Sequence, residues 1–465
     1  MYEQNNPQEF MIRNHLKRFF EKWHADPDFR EQVFTDSVQA ASRHNLKVNI
    51  EEIRQLWDTE YASLQGDQAP ISPTLEIYQK YFQQSDKKDF RANISTNPQY
   101  TAWRARQIAR NDSLHKKAHH DAIVHASVAF ELSKGCSVGC WFCGISAPRL
   151  EDLFLYTPEN AKLWREVLEL LKEILGPATK TGFCYWATDP LDNPDYEKFC
   201  SDFHEISGIF PQTTTALALR DPERTRSLLK LSRKKGCDLD RFSVLSLKIL
   251  NQIHEEFSAE ELAFVSLIHQ NSESDTIKAN VGRLRERNHK KAELSELSQE
   301  DDFSAQGTIA CVTGFLFNMV DRTVKLISPC RASDRWPLGY IIFAQGSFSN
   351  IDDLRAILQR MIDEHMSPTV RDNDLICFRD ELKYEKLPDG FQVSTKIMTR
   401  KFRHQNYLRE LGEAIQKGDK PAAEIVGLFN LLGVPSDKTF QALNLLLASG
   451  CLNEEPRTKT LAYAR

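Results

Sequence analysis

Between Glu131 and Ala147 the chain reads ELSKGCSVGCWFCGISA, with Cys136, Cys140 and Cys143 in C-x3-C-x2-C spacing and Phe142 just before the third cysteine. A structural zinc site needs a fourth ligand, and no Cys or His follows at knuckle spacing. Ser133, Gly135, Ser137, Gly139 and Gly144 make the segment a loop that exposes its backbone, which suits wrapping a cluster better than packing into a core. Three thiolates placed this way can cap three irons of a cubane 4Fe-4S cluster. The fourth iron is then left open, unlike the all-cysteine ligation of electron-transfer ferredoxins. The preceding run HASVAFELS (125–133) has β character, so the loop leaves the end of a strand.

Around this loop the pattern divides the chain. Residues 1–120 read as helical, with Phe10, Ile12, Leu16, Phe19, Phe20 and Trp23 near helical spacing and Asp26-Pro27 as a helix start. From 125 to about 270, strand-like runs at 125–133, 181–189, 209–219, 241–247 and 263–270 alternate with amphipathic helices. This rhythm predicts a parallel α/β sheet with right-handed crossovers. The highly charged segment 282–306 reads as an exposed helix or mobile linker. Next come a hairpin turning at Asp321-Arg322, the loop SPCRASDRWPLGY and a helix over 351–366. The last unit, 373–465, combines a hairpin around Pro388-Asp389-Gly390 with three helices, a winged-helix-like arrangement.

At 465 residues, with 41% hydrophobic and 27% charged residues, the chain has the composition of a soluble globular protein of several units. No apolar run approaches a membrane span, and the N-terminus lacks an apolar signal region, so no membrane association is expected. A net charge of −5 gives no footprint for nucleic acid. Ten cysteines in a chain of cytoplasmic character suit metal and redox chemistry in a reducing setting over disulfides.

The cysteine motif with its aromatic resembles the signature of the radical S-adenosylmethionine (SAM) superfamily. The blocks ELSKGCSVGCWFCGISA, YWATDPLDNPDY, TTTALALRDPERTR, RFSVLSLKILNQIHEEFS and GFLFNMVDRTVKLISPCRASDRWPLGY together resemble the radical SAM peptide epimerases that mature proteusin-type ribosomal peptides. The resemblance implies a partial (β/α)6 TIM-type barrel over 121–350, followed by a C-terminal unit over 373–465 that could recognise a leader peptide by strand addition. It implies a 4Fe-4S cluster on Cys136, Cys140 and Cys143, with SAM on the open iron. Phe142, Thr188, Asp189, Thr214, Arg220 and Ser243 then become candidate SAM contacts, with Asp189 supplying negative charge for the SAM ammonium group. Asp189-Pro190-Leu191 could equally serve only to turn a strand into a helix.

The implied activity inverts L residues to D within a precursor peptide. A 5′-deoxyadenosyl radical takes the Cα hydrogen, and a thiol on the opposite face returns one. Cys330, on a Pro-braced turn beside Arg331 and Arg335, is assigned as that thiol, with Cys311 and Cys377 as alternatives. The partners implied are a ribosomal precursor peptide (leader plus core) and an electron donor such as a flavodoxin. Other readings of the same residues are a radical SAM crosslinking or methylating enzyme, or an iron–sulfur regulator that binds DNA through the winged helix.

Overall fold

A computed structural model gives the architecture, and it describes residues 6–65, 71–83, 95–115, 121–295 and 307–456. Among the described residues six α-helices precede the first strand: α1 (Pro7–Ala25), α2 (Pro27–Thr35), α3 (Ser37–Arg43), α4 (Thr59–Gln65), α5 (Pro73–Tyr78) and α6 (Pro98–Asp112), with a 3-10 helix at Ile50–Leu56. The middle of the chain holds β1 (Ala126–Glu131), β2 (Ser133–Lys134), β3 (Asp152–Leu153), α7 (Pro158–Leu175) and α8 (Tyr196–Ser207). It continues through β4 (Thr214–Thr215), α9 (Pro222–Lys234), β5 (Asp240–Val244), α10 (Leu247–Glu256), β6 (Val265–His269) and α11 (Gly282–Ser295). There follow β7 (Val312–Asn318), β8 (Thr323–Pro329), β9 (Tyr340–Ser347) and α12 (Ile351–His365). The chain ends with β10 (Lys383–Leu387), β11 (Gly390–Ser394), β12 (Thr399–Arg403), α13 (Leu408–Lys417), α14 (Ala422–Leu431) and α15 (Ser436–Ala448). These elements form two compact units.

The first unit comprises residues 1–89, 189–191 and 212–277. Its helices start on strong local signals. The Asn6 side chain accepts from Glu9 N–H ahead of Pro7, and the Asp26 carboxylate caps α2 at Phe29 N–H ahead of Pro27. Leu16, Phe19, Phe29, Val33, Ile50, Ile53 and Trp57 bury their side chains in one core. The sheet of this unit is parallel, in the order β4-β5-β6. Phe242, Val244, Val265 and Leu267 lie on its buried face, with Leu250, Ile253 and Phe257 in the same cluster.

The second unit comprises residues 90–188, 192–211 and 278–465. Its main sheet has the order β1-β7-β8-β9, with β1 parallel to β7 and the other pairs antiparallel. Phe130 of β1 stacks on its register partner Phe317 and meets Trp164 of α7 edge-on. The C-terminal residues form the three-stranded antiparallel sheet β10-β11-β12 against α13, α14 and α15. The hairpin turns at Pro388-Asp389 as the sequence predicts, and β12 adds a third strand.

The mixed α/β class is observed; among the described residues the parallel pairings are β1-β7 in one sheet and β4-β5-β6 in another, not one six-stranded parallel sheet. Two predicted strands are cut short for identifiable reasons. In 181–189 the backbone contacts with β1 are the Phe183 bridge at Ala129 and Trp186 N–H donating to Phe130 O at 3.1 Å; between them the chain bends at Cys184, and it then turns through Trp186 and Ala187, which takes φ +52. In 209–219 the ladder ends at Thr215, whose hydroxyl and the next N–H, of Ala216, bond to Asp189. The charged segment forms α11 to Ser295, and 296–306 lie outside the described residues. Among the described residues no helix is long and apolar enough to cross a membrane.

Candidate functional site

The cysteine loop is closed at its base by its own backbone. Cys136 N–H donates to Pro148 O at 3.0 Å, and Glu151 N–H donates to Lys134 O at 2.8 Å. Gly135 is required there: it takes φ +85, and a Cβ would stand 2.2 Å from Arg149 O. The Asn193 amide donates to Leu132 O and Phe154 O, bracing the stem formed by β2 and β3. Asp192 receives both Ser137 N–H at 2.9 Å and Ser137 Oγ–H at 2.6 Å, fixing the first turn after Cys136.

The far side of the loop is held by α11. Arg283 N–H donates to Cys143 O at 3.0 Å, and its guanidinium donates to Cys140 O at 3.0 Å and to Ala147 O. Gly282 must be glycine, because it takes φ +54 and a Cβ would lie 2.4 Å from Gly144 O. Ala147 N–H points at Cys143 Sγ at 3.4 Å. All three cysteines are half-buried. The Cys140 thiol is pushed up to about 11, by burial first and then by the neighbouring Cys143 and Cys136.

Among the described residues no three Cys, His, Asp or Glu side chains crowd closely enough to hold one metal ion. A cubane makes a different demand, because its thiolates sit on separate irons and so stand further apart than the ligands of a single ion. Three partly exposed thiols close enough that Cys143 and Cys136 help raise Cys140, with a backbone N–H aimed at sulfur, fit that demand. Phe142 lies edge-on to Trp141 with centroids 5.3 Å apart, and Lys278 Nζ lies 5.7 Å from its ring centroid.

Cys330 belongs to the same unit, and short backbone contacts connect it to the loop. Cys330 N–H donates to Gly339 O at 2.9 Å, Gly282 N–H donates to nearby Pro337 O at 3.0 Å, and Arg283 N–H reaches Cys143 O. Because β8 runs antiparallel to β7, Cys330 leaves the sheet where β7 begins, and Ile309, just before β7, packs over Gly144. The sequence suggests a presented thiol, yet Cys330 is only 2% exposed. Arg110 lies close by, donating to Glu381 at 3.1 Å and to Glu455, which also accepts Trp336 Nε1–H at 2.8 Å. Burial raises the Cys330 thiol well above its ordinary value; Arg110 opposes this, and Glu455 and Glu381 add to it. Cys311 and Cys377 are half-buried.

The remaining candidates fall differently. Asp189 is 3% exposed, and its carboxylate accepts from Thr215 Oγ1–H at 2.7 Å, Ala216 N–H at 2.7 Å and Leu191 N–H at 3.1 Å. Thr188 is half-buried after the Ala187 turn, and Arg220 is exposed beyond β4. Thr214 and Ser243 share the less buried face of the β4-β5-β6 sheet with Arg241, the register partner of Thr214. Arg241, Asp192, Arg283 and Arg110 do not stand out in the sequence, since each gains meaning only from a partner distant along the chain. Glu131, which ends β1, has its carboxyl raised to about 7 by burial, aided by Asp321 and opposed by Lys325 and the Asn318 amide.

Among curated proteins the chain is similar to the protein y4wI of Sinorhizobium fredii, described as uncharacterized. The two are 38% identical over 469 aligned positions, covering 98% of this chain and 90% of the relative. The chain belongs to the y4wI family. No protein-family model matches it. Among solved structures, a crystal structure of BtrN in complex with AdoMet and 2-DOIA aligns at 13% identity over 43% of this chain and 71% of BtrN. Its TM-score of 0.28 is too low to show a shared fold.

Proposed function

We propose that this y4wI-family chain is a radical SAM enzyme that epimerises residues in a ribosomally synthesised precursor peptide. The observation that carries the reading is the cysteine loop. Cys136, Cys140 and Cys143 are spaced for a cubane, with Cys143 and Cys136 close enough to help raise Cys140, and the loop is held from outside by Arg283 and Asp192. A bound cluster with SAM would supply a carbon radical able to take a hydrogen atom from a peptide Cα.

Within this reading Cys330 returns the hydrogen. Its S–H bond breaks as the new Cα–H bond forms, and one electron and one proton from a reduced donor protein restore the thiol. Burial keeps this thiol protonated, and the neutral S–H is the form that can give a hydrogen atom. Phe142, Thr188, Thr214, Arg220 and Ser243 are assigned to SAM contacts, and Arg241 joins them as a cation on the face of Thr214 and Ser243. Asp189 is assigned with them to the SAM ammonium group, and its carboxylate also accepts Thr215 Oγ1–H, Ala216 N–H and Leu191 N–H, which fixes the end of β4. The leader of the precursor would add to an edge of the β10-β11-β12 sheet by main-chain pairing.

The test is an anaerobic reaction in heavy water with reconstituted protein, SAM, reductant and the precursor peptide encoded nearest the gene. One deuterium at Cα of each new D residue supports epimerisation through an exchangeable thiol. Deoxyadenosine accompanied by a mass loss or a methyl gain, with no D residue, refutes it in favour of crosslinking or methylation.

A further inference from the structure

Helix α11 does more than brace the loop. Its sequence GRLRERNHKKAELS carries Arg283, Arg285, Arg287, Lys290 and Lys291 against Glu286 and Glu293. Arg287, Lys290 and Lys291 are exposed and, with Arg283 and Glu286, line a shallow cavity of about 360 Å³. Arg285 pairs with Asp334, so its charge is offset. The Arg287 guanidinium carbon sits 4.8 Å from the centroid of the Trp141 ring, and Trp141 lies between Cys140 and Cys143. Trp141 is 47% exposed, and Ile309, which packs over Gly144, is 44% exposed.

This cationic face therefore adjoins two large apolar side chains at the cysteine loop. Within α11 five arginines and lysines stand with Glu286 and Glu293 in a chain of net charge −5. Long-range attraction between such a face and an anionic partner raises the encounter rate and orients the partner. The exposed tryptophan and isoleucine supply apolar contact of the kind found at the centre of an interface.

We infer that the α11 face, with Arg287, Lys290, Lys291, Trp141 and Ile309, is the docking surface for a small acidic redox protein of the flavodoxin type. The inference rests on the cluster reading above, because it is the placement of the face on the cysteine loop that selects a redox partner. Electron transfer requires a close approach, and a partner seated here stands at the backbone of Cys140 and Cys143. A cluster held by Cys136, Cys140 and Cys143 would take one electron from the partner's reduced flavin, and that transfer would make or break no covalent bond in this chain. Arg283 is not an anchor for the partner, since its guanidinium is committed to the Cys140 and Ala147 carbonyls.

The experiment uses the full-length reconstituted protein and a purified flavodoxin. Affinity is measured by quenching of flavin fluorescence at low and moderate salt, and cluster bleaching is followed with reduced flavodoxin and separately with dithionite. The triple variant R287E/K290E/K291E should bind flavodoxin at least about tenfold more weakly and lose most of its salt dependence. The neutral variant R287Q/K290Q/K291Q should fall between it and wild type, and Lys417→Glu, on the surface of α13, should bind as wild type. Slower bleaching of the triple variant by flavodoxin, with unchanged bleaching by dithionite, places the defect in docking. Wild type that shows the cluster absorbance yet does not bind flavodoxin, or a triple variant that binds normally, overturns the docking surface. Loss of binding to the precursor peptide instead of flavodoxin overturns it also. Absence of the cluster absorbance in wild type removes the reading beneath it, and the inference falls with that reading.

Discussion

The guanidinium of Arg283 donates to the main-chain carbonyl of Cys140 at 3.0 Å, while its own N–H donates to the carbonyl of Cys143 at the same distance. One residue of α11 thus fixes the backbone of two cysteines, so the spacing of their thiols depends on a helix about 140 positions away in sequence.

Arg283→Ala should loosen the loop without touching a thiol. Hydrogen bonds to a charged donor contribute about 1.5–3 kcal/mol each, so cluster retention should weaken by about tenfold or more. Iron and sulfide content after reconstitution, and the rate of bleaching by a chelator, would measure this. Retention equal to wild type would mean that the stem at Gly135 and Asp192 suffices.

Cys330→Ala should leave SAM cleavage intact and abolish the D residue. Deoxyadenosine is read by chromatography and chirality after hydrolysis of the peptide. Normal epimerisation by this variant would move the donor role to Cys311 or Cys377.

The apo loop should show a pH signature. With its thiol pushed up to about 11, Cys140 is protonated at pH 8 and reacts slowly with an alkylating agent until the pH nears that value. Mass spectrometry of the alkylated peptide, taken at a series of pH values, would follow it. Because the ligands must lose protons, cluster assembly should be faster at pH 8.5 than at pH 7.

Glu131 gives a second pH effect, of defined sign. Its carboxyl is raised to about 7 in the folded chain, so between its ordinary value and 7 the native state holds more protons than the unfolded state. The stability contributed by the neutral acid is complete below the ordinary value and is lost as pH rises through about 7. Glu131→Gln should flatten this part of the profile and raise the melting temperature above pH 7. A variant with an unchanged profile would show that Lys325 and Asn318 compensate the charge fully.

Much of this could be read from the chain because the signals are local. The Cys136–Cys143 spacing, the Asp321-Arg322 turn with Arg322 at φ +51, and the Pro388-Asp389-Gly390 hairpin need no distant partner. What escaped depends on tertiary context. The run 181–189 has the residues of a strand, but after the Phe183 bridge the chain bends at Cys184 and turns through Trp186 and Ala187, and alanine gives no warning of its positive φ. Thr215 looks like a mid-strand residue until the Asp189 carboxylate draws its hydroxyl away. Arg283 sits in a charged stretch that looks like linker, and Arg110 reads as one more helical arginine until Glu381 and Glu455 arrive.

The strand β12 has a consequence for how copies of this protein meet one another. It forms one margin of its sheet, and Lys401 and Arg403 are exposed along it. Unpaired strand margins invite self-association, and lysine or arginine along them is a common safeguard. Two copies joining β12 to β12 would bring Lys401 of one against Lys401 of the other, while Arg403 is already paired with Asp389. A strand that carries acidic side chains would meet no such repulsion at this margin.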